Sequence, residues 1–208
     1  MKNLLTTALF ASAVAASSAM ATTVSTTTLT STIRADNSYV IYLSTDDKTA
    51  GTSFGTLENW TAVATNTTTL TSGLDYFLHI YAHDTGGIAG VLGQFALTGT
   101  DFTFSNGTQS LLTNTTNWAA NSTGFAASYT TPTTATATEV SGAWGNTPAI
   151  NSNAKWIWAG NNYDVNDAYF TTKITYAPPS TKVPEPGSLA LLGLGLAGVF
   201  LATRRRKA

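Results

Sequence analysis

The groups in this chain with which chemistry would have to be done are two histidines and a scatter of carboxylates. His79 and His83 stand four residues apart. On a helix that spacing puts two imidazoles on one face, within reach of one metal ion. On a strand they also share a face, but at about 3.3 Å per residue they sit roughly 13 Å apart. That is too far for one ion whose ligands lie at about 2 Å. Ile80, Tyr81 and Ala82 lie between them, so the glutamate of a helical zinc-hydrolase motif is missing too. Glycoside hydrolysis needs two carboxylates facing each other across a cleft. The only glutamates of the chain's body are Glu58 and Glu139, in segments that read as loop or edge. The aspartates gather in turns, where their default work is to hold the turn. No nucleophile elbow and no phosphate loop stands out. The expectation is a protein with no catalytic residues and no bound transition metal. Asp36, Asp46, Asp47 and Asp84 have the oxygen ligands a calcium ion takes, though not the regular spacing of a calcium loop. A structural calcium is the one cofactor they admit; otherwise none is expected.

Aromatic rings are the other chemical resource, because they stack on the apolar faces of sugars. Trp118 and Trp144 lie in segments rich in glycine, asparagine and threonine, where an exposed ring is plausible. They are the candidate ligand contacts, against the alternative that each ring is structural. Trp156 and Trp158 would share one strand face, so at least one of them belongs to the core.

The elements that would carry these residues are strands. Threonine makes up about a fifth of the chain and suits a pleated, half-exposed surface. Five Trp, 8 Tyr and 9 Phe supply the bulk for a core, which weakens a disordered reading. There is no cysteine, so an exported form would be held by its core alone. Between Thr22 and Val183, five basic residues stand against ten acidic ones, a formal charge of about −5. That excludes nucleic acid as a partner, since neutralising phosphates needs a basic patch. Strands are expected at Tyr39–Leu43, loosely at Trp60–Leu70, at Tyr76–His83, after Gly90, at Phe102–Phe104, at Lys155–Gly160 and at Ala168–Tyr176. Thr22–Ser31 reads as a linker running into a first strand, and Asn106–Ser141 as mostly loop. On Tyr76–His83, Tyr76, Leu78, Ile80 and Ala82 would face one way and Phe77, His79, Tyr81 and His83 the other. Seven or eight short strands separated by turns predict an all-β, two-sheet β-sandwich. It reads as a unit that folds alone as a soluble monomer over 22–176.

Several blocks carry a resemblance. Asp36-Asn37, the run from Ala82 to Gly90 (AHDTGGIAG), Ala154 to Trp158 (AKWIW) and Tyr169-Phe170 are similar to a jelly-roll module of the galactose-binding-like class. The resemblance implies a jelly-roll β-sandwich and a carbohydrate-binding-like role, and modules of this class often carry a structural calcium. The loop STDDKTAG departs from the family's usual Asn-Gly hairpin.

Both ends of the chain are addresses. Residues 1–21 begin with Lys2, continue in an apolar run and end in Ala19-Met20-Ala21. This is a signal peptide for signal peptidase, with Ala19 and Ala21 at the cleavage site. A linker, 177–183, leads to a tail, 184–208. The tail holds Pro184-Glu185-Pro186, an apolar stretch at 187–203 and then Arg204, Arg205, Arg206 and Lys207. Seventeen residues of helix span about 25 Å, the short end of a transmembrane helix. The four basic residues would hold its end in the cytoplasm and orient the body outward. The three-part order is similar to the PEP-CTERM sorting tail of Gram-negative bacteria that make exopolysaccharide. That resemblance implies an exosortase as partner, a transient stay in the inner membrane and delivery to the cell surface or extracellular matrix. The function expected is that of a structural or carbohydrate-contacting surface protein, with exopolysaccharide as a candidate partner. The alternatives are a permanently anchored periplasm-facing protein and, third, a glycan-active enzyme.

Overall fold

The computed structural model describes residues 26–178 and 194–196. The signal-cleavage residues Ala19 and Ala21, the sorting residues Pro184, Glu185 and Pro186, and the charged end Arg204–Lys207 lie outside them. So does the expected transmembrane helix 187–203, except for Leu194, Gly195 and Leu196, which are helical. Among the described residues no helix is long and apolar enough to cross a membrane.

The body is a sandwich of two antiparallel sheets. Chain order gives β1 (Thr26–Asp36), β2 (Ser38–Ser44), β3 (Thr52–Leu57), β4 (Ala64–Thr71), β5 (Tyr76–His83) and β6 (Gly90–Leu97). Shorter pieces follow: β7 (Phe102–Phe104), β8 (Ser110–Leu112), β9 (Ala119–Asn121), β10 (Thr133–Thr134), one helical turn α1 (Ala137–Glu139) and β11 (Ile157–Trp158). A long β12 (Asp167–Tyr176) closes the fold. The first sheet runs β10-β11-β6-β1-β4, with β8 also on β6. The second runs β3-β2-β5-β12-β7, with β9 also on β12.

Strict alternation puts one side of each long strand into the space between the sheets. On β5, Tyr76, Leu78, Ile80 and Ala82 are buried in the core, as their period-two spacing dictates. Leu29 and Ile33 of β1, Val91 and Phe95 of β6, and Phe170 and Ile174 of β12 meet them there. β1 is where the sequence misleads. Thr26–Ser31 looks like a linker because it is nearly all threonine and serine, yet it forms half of an 11-residue strand. Its inward positions Thr27, Leu29, Ser31 and Ile33 are buried, and the Ser31 hydroxyl reaches the Asn66 carbonyl at 3.3 Å. β-branching does the local work there, and pairing to both β4 and β6 does the rest.

Three other expectations change. Thr52–Leu57, where no strand was expected, pairs with β2 across a register shift between Ile41 and Tyr42. The span 106–141 holds β8, β9, β10 and α1. Of Lys155–Gly160 only Ile157–Trp158 is strand. Trp156 precedes that strand and escapes its alternation, so Trp156 and Trp158 end in different hydrophobic clusters.

Candidate functional site

Three groups of chemistry-bearing residues are assembled by the sandwich, and each differs from what spacing alone implies. On the outer face of the second sheet, His79 is 0% exposed. The Phe125 ring stacks on it at 4.6 Å, and its nitrogens face Asp47 Oδ1 and the Ala50 carbonyl, each at 3.3 Å. Asp47 Oδ1 also accepts the Thr171 hydroxyl. The loop STDDKTAG is held by its own bonds: Lys48 N–H donates to Asp46 Oδ1 at 2.9 Å, and Gly51 turns at φ +84°. A side chain at Gly51 would run into the Leu43 carbonyl. Asp46 and Asp47 are therefore a loop clamp over His79.

Farther along β5, His83 Nδ1 lies 2.9 Å from Asp167 Oδ1, and the Tyr81 hydroxyl donates to the same oxygen at 2.8 Å. The hydrogen bonds from His83 and Tyr81 hold the Asp167 carboxyl below the usual carboxylate range. Burial and that carboxylate push the Tyr81 phenol up to about 12. The two histidines thus have separate carboxylate partners. Among the described residues no group of three or more His, Cys, Asp or Glu side chains is placed to hold a metal ion.

The third group lies where β1 passes into β2 and β5 into β6. Asp36 Oδ2 accepts the Trp144 indole N–H at 2.7 Å. Asn37 Oδ1 accepts the backbone N–H and the hydroxyl of Thr85, at 2.6 and 2.8 Å. Asp84 is 2% exposed; its Oδ2 accepts the Gly86 N–H at 2.9 Å. Its Oδ1 is buried and accepts no hydrogen bond from any described residue. Burial raises the Asp36 carboxyl, and the Asp84 charge raises it further, against the indole hydrogen bond and Arg34. Of the four aspartates with calcium-ligand chemistry, the fold brings Asp36 and Asp84 together and leaves Asp46 and Asp47 apart from them in their own loop. Two carboxylates with an unsatisfied buried oxygen have the hardness calcium prefers, but they are fewer than the 6–8 oxygens it takes. Backbone carbonyls would have to supply the rest.

The tryptophans chosen as exposed sugar platforms are not exposed. Trp118 is 3% exposed; it lies against Phe95 at 5.1 Å, and its N–H bonds the Leu112 carbonyl. Trp144 is 5% exposed and stacks on Trp156 at 4.0 Å and 17°. Trp118 does lie in an irregular segment, as its neighbours suggested, but Trp144 ends a short π-helical turn, Val140–Trp144. Those segments fold back over the sheets, and a ring this large gains more from burial than from staying in water. What lies open beside Trp156, the stacking partner of Trp144, is a cleft of about 560 Å³. Ser141, Asn146, Ser152, Lys155 and the rim of Trp156 line it.

Arg34 is the residue that sequence reading passed over. It points outward from β1 and is nonetheless buried. Its Nε donates to the Trp60 carbonyl at 2.8 Å, and its Nη1 donates to the Trp144 carbonyl and the Thr147 hydroxyl, both at 3.0 Å. Its guanidinium lies 5.5 Å from the Trp156 ring centre. Desolvation lowers its pKa, against the nearby Asp36 charge. A lone arginine among threonines in a strand gives no sign of this; only the loops arriving from 60 and 144–147 create the site.

No curated protein and no solved structure matches the chain. The galactose-binding-like resemblance of the body therefore has no relative behind it beyond the sandwich itself. One family model matches, that of the PEP-CTERM protein-sorting motif, over residues 182–207. This short stretch takes in Pro184-Glu185-Pro186, the apolar run and the basic end. The chain thus carries a PEP-CTERM protein-sorting motif, the mark of a protein exported through the membrane and sorted to the cell surface by an exosortase.

Proposed function

We propose that this is a non-enzymatic surface or extracellular-matrix protein. A self-contained β-sandwich is delivered by its tail and serves there as a structural or carbohydrate-contacting component. The observation that carries the reading is the sorting motif at 182–207, joined to a body with its own closed core. In this reading the tail is a temporary hold. Proline disfavours helix in the residue before it, so Pro184-Glu185-Pro186 is a sequence that separates the body from the apolar stretch. In this reading a membrane-embedded enzyme recognises Glu185 ahead of the apolar stretch. Mass spectrometry of the C-terminal peptide from the native host tests this. Wild-type protein should lack the tail, and Glu185→Ala should accumulate as a membrane-bound precursor. A mature wild-type chain still ending at Ala208 would refute processing and favour the permanent anchor.

The buried, partnerless Asp84 Oδ1 favours one addition, a structural calcium held by Asp36 and Asp84. A ligand that binds only the folded state stabilises it by about 2.7 kcal/mol at a hundredfold excess over its Kd. Calcium should therefore raise the body's melting temperature in wild type and leave Asp84→Asn unmoved. Equal shifts in both would end this proposal.

A further inference from the structure

An unpaired strand edge is a row of open N–H and C=O groups, and folded proteins blunt such edges with short strands, bulges, charges or proline. Among the described residues, three of the four flanks of this sandwich are blunted. The far side of β6 carries only the two-residue β11 and the three-residue β8, with the two-residue β10 outside β11. The far side of β12 carries only the three-residue β7 and β9. β3 pairs across a register shift and contains Gly55. β4 has none of these protections. It is eight residues long and pairs regularly with β1, with no glycine, proline or ionisable side chain in ATNTTTLT. Among the described residues it pairs with β1 alone.

Its outward side chains are ordered as well. Thr65, Thr67, Thr69 and Thr71 are exposed, and they stand opposite Thr32, Thr30, Thr28 and Thr26 of β1 in register. The Thr32 and Thr65 hydroxyls lie 3.1 Å apart. The result is a two-strand threonine ladder that stops at an open edge.

We infer that β4 is a docking edge for a second copy of this chain, paired antiparallel about a two-fold axis to continue the sheet across two bodies. Self-complementarity decides for a second copy, and charge for this edge. The body carries about −5 by formal count, five basic residues against ten acidic between 22 and 183, so most of its surface repels another copy. β4 is a charge-free stretch where two copies can meet with no like charges opposed. A register centred on Thr68 sets Thr65 against the second copy's Thr71 and Thr67 against its Thr69, so the ladder runs on through favourable threonine pairs. Eight residues a side is well below the 20–30 of a standard interface, which places the dimer in the weak, concentration-driven class. Crowding at a cell surface supplies that concentration. This replaces the monomer expected from sequence and is independent of whether the tail is cut.

Sedimentation velocity of the full chain in mild detergent, over a concentration series, tests it. Wild type should dimerise reversibly, and Thr67→Lys with Thr69→Lys should weaken association at least tenfold while leaving the melting temperature in place. The chain has no cysteine, so Thr68→Cys places a single thiol on the proposed axis. Mild oxidation should trap it as a disulfide dimer, while Thr100→Cys in an exposed turn should stay monomeric. Three results would each overturn the proposal: a monomer at every concentration, a dimer indifferent to the two lysines, or equal trapping at 68 and 100.

Discussion

The outer face of the first sheet is divided between two treatments of the same pleated surface. Over β6 and β11 it is roofed. Leu92 points out of the sheet into a second small core of Trp144, Trp156, Ile150 and Ala154. Arg34 of β1 is drawn under the roof by two carbonyls and a hydroxyl. Over β4 and the first part of β1 the face is open among the described residues, and its outward residues are threonines, exposed on β4 and mostly half-buried on β1. The strand β1 belongs to both halves: Arg34 lies buried two positions beyond Thr32 on the same side. What differs is which loops reach across. Where the 135–156 segment brings two indoles, the face becomes core. Where no loop arrives, β-branched residues with hydroxyls keep the strand extended and wet.

Breaking the roof should give the largest effect. Trp144→Ala removes the stack on Trp156 and leaves Asp36 Oδ2 without its indole donor. A loss of about 3–5 kcal/mol is expected from chemical denaturation, within the range for large-to-small aromatic changes in a core. A loss under about 1 kcal/mol would mean the roof is loosely attached, and the contrast between the halves would fail.

Gly90 sharpens the comparison. Its missing side chain leaves the space in which the Trp144 and Trp156 rings meet the sheet; a Cβ there would lie 2.8 Å from an atom of each. Gly90→Ala should cost about 1–3 kcal/mol by overpacking, although alanine suits a strand better than glycine. Stabilisation by Gly90→Ala would show that the roof moves freely to make room.

The smallest effect belongs to the bare half. Thr67→Ala changes an exposed side chain on the edge strand and should alter stability by no more than about 0.5 kcal/mol. A loss above 1 kcal/mol would reveal an unrecognised partner for that threonine and bring the two halves closer together.

Legibility in the sequence follows the same division. Alternation exposed β5 and β12, because each buries one face and its apolar residues recur every second position. It failed on β1, where Thr27 and Ser31 occupy inward positions, so the pattern never showed as hydrophobic. It failed on Trp118 and Trp144 for the opposite reason. Trp118 sits in loop and Trp144 at the end of a short π-helix, but a segment lying on a sheet buries its largest ring whatever its neighbours are.

By itself the sequence determined the class and the destination. Threonine, aromatic content and period-two runs required paired sheets, because those side chains are stable only on a pleated surface with one face covered. The sorting motif at 182–207 is read as a short linear address, in which the order of proline, apolar and basic residues is itself the message. Tertiary structure alone decided which residues could act together. Asp36 and Asp84 lie 48 positions apart and become a pair only when the turns out of β1 and β5 meet at one end of the sandwich. His79 and His83 lie four apart and are divided, because a strand spreads what a helix would gather. Which polar side chains are buried depends on what folds over them from far along the chain, and no local pattern records that.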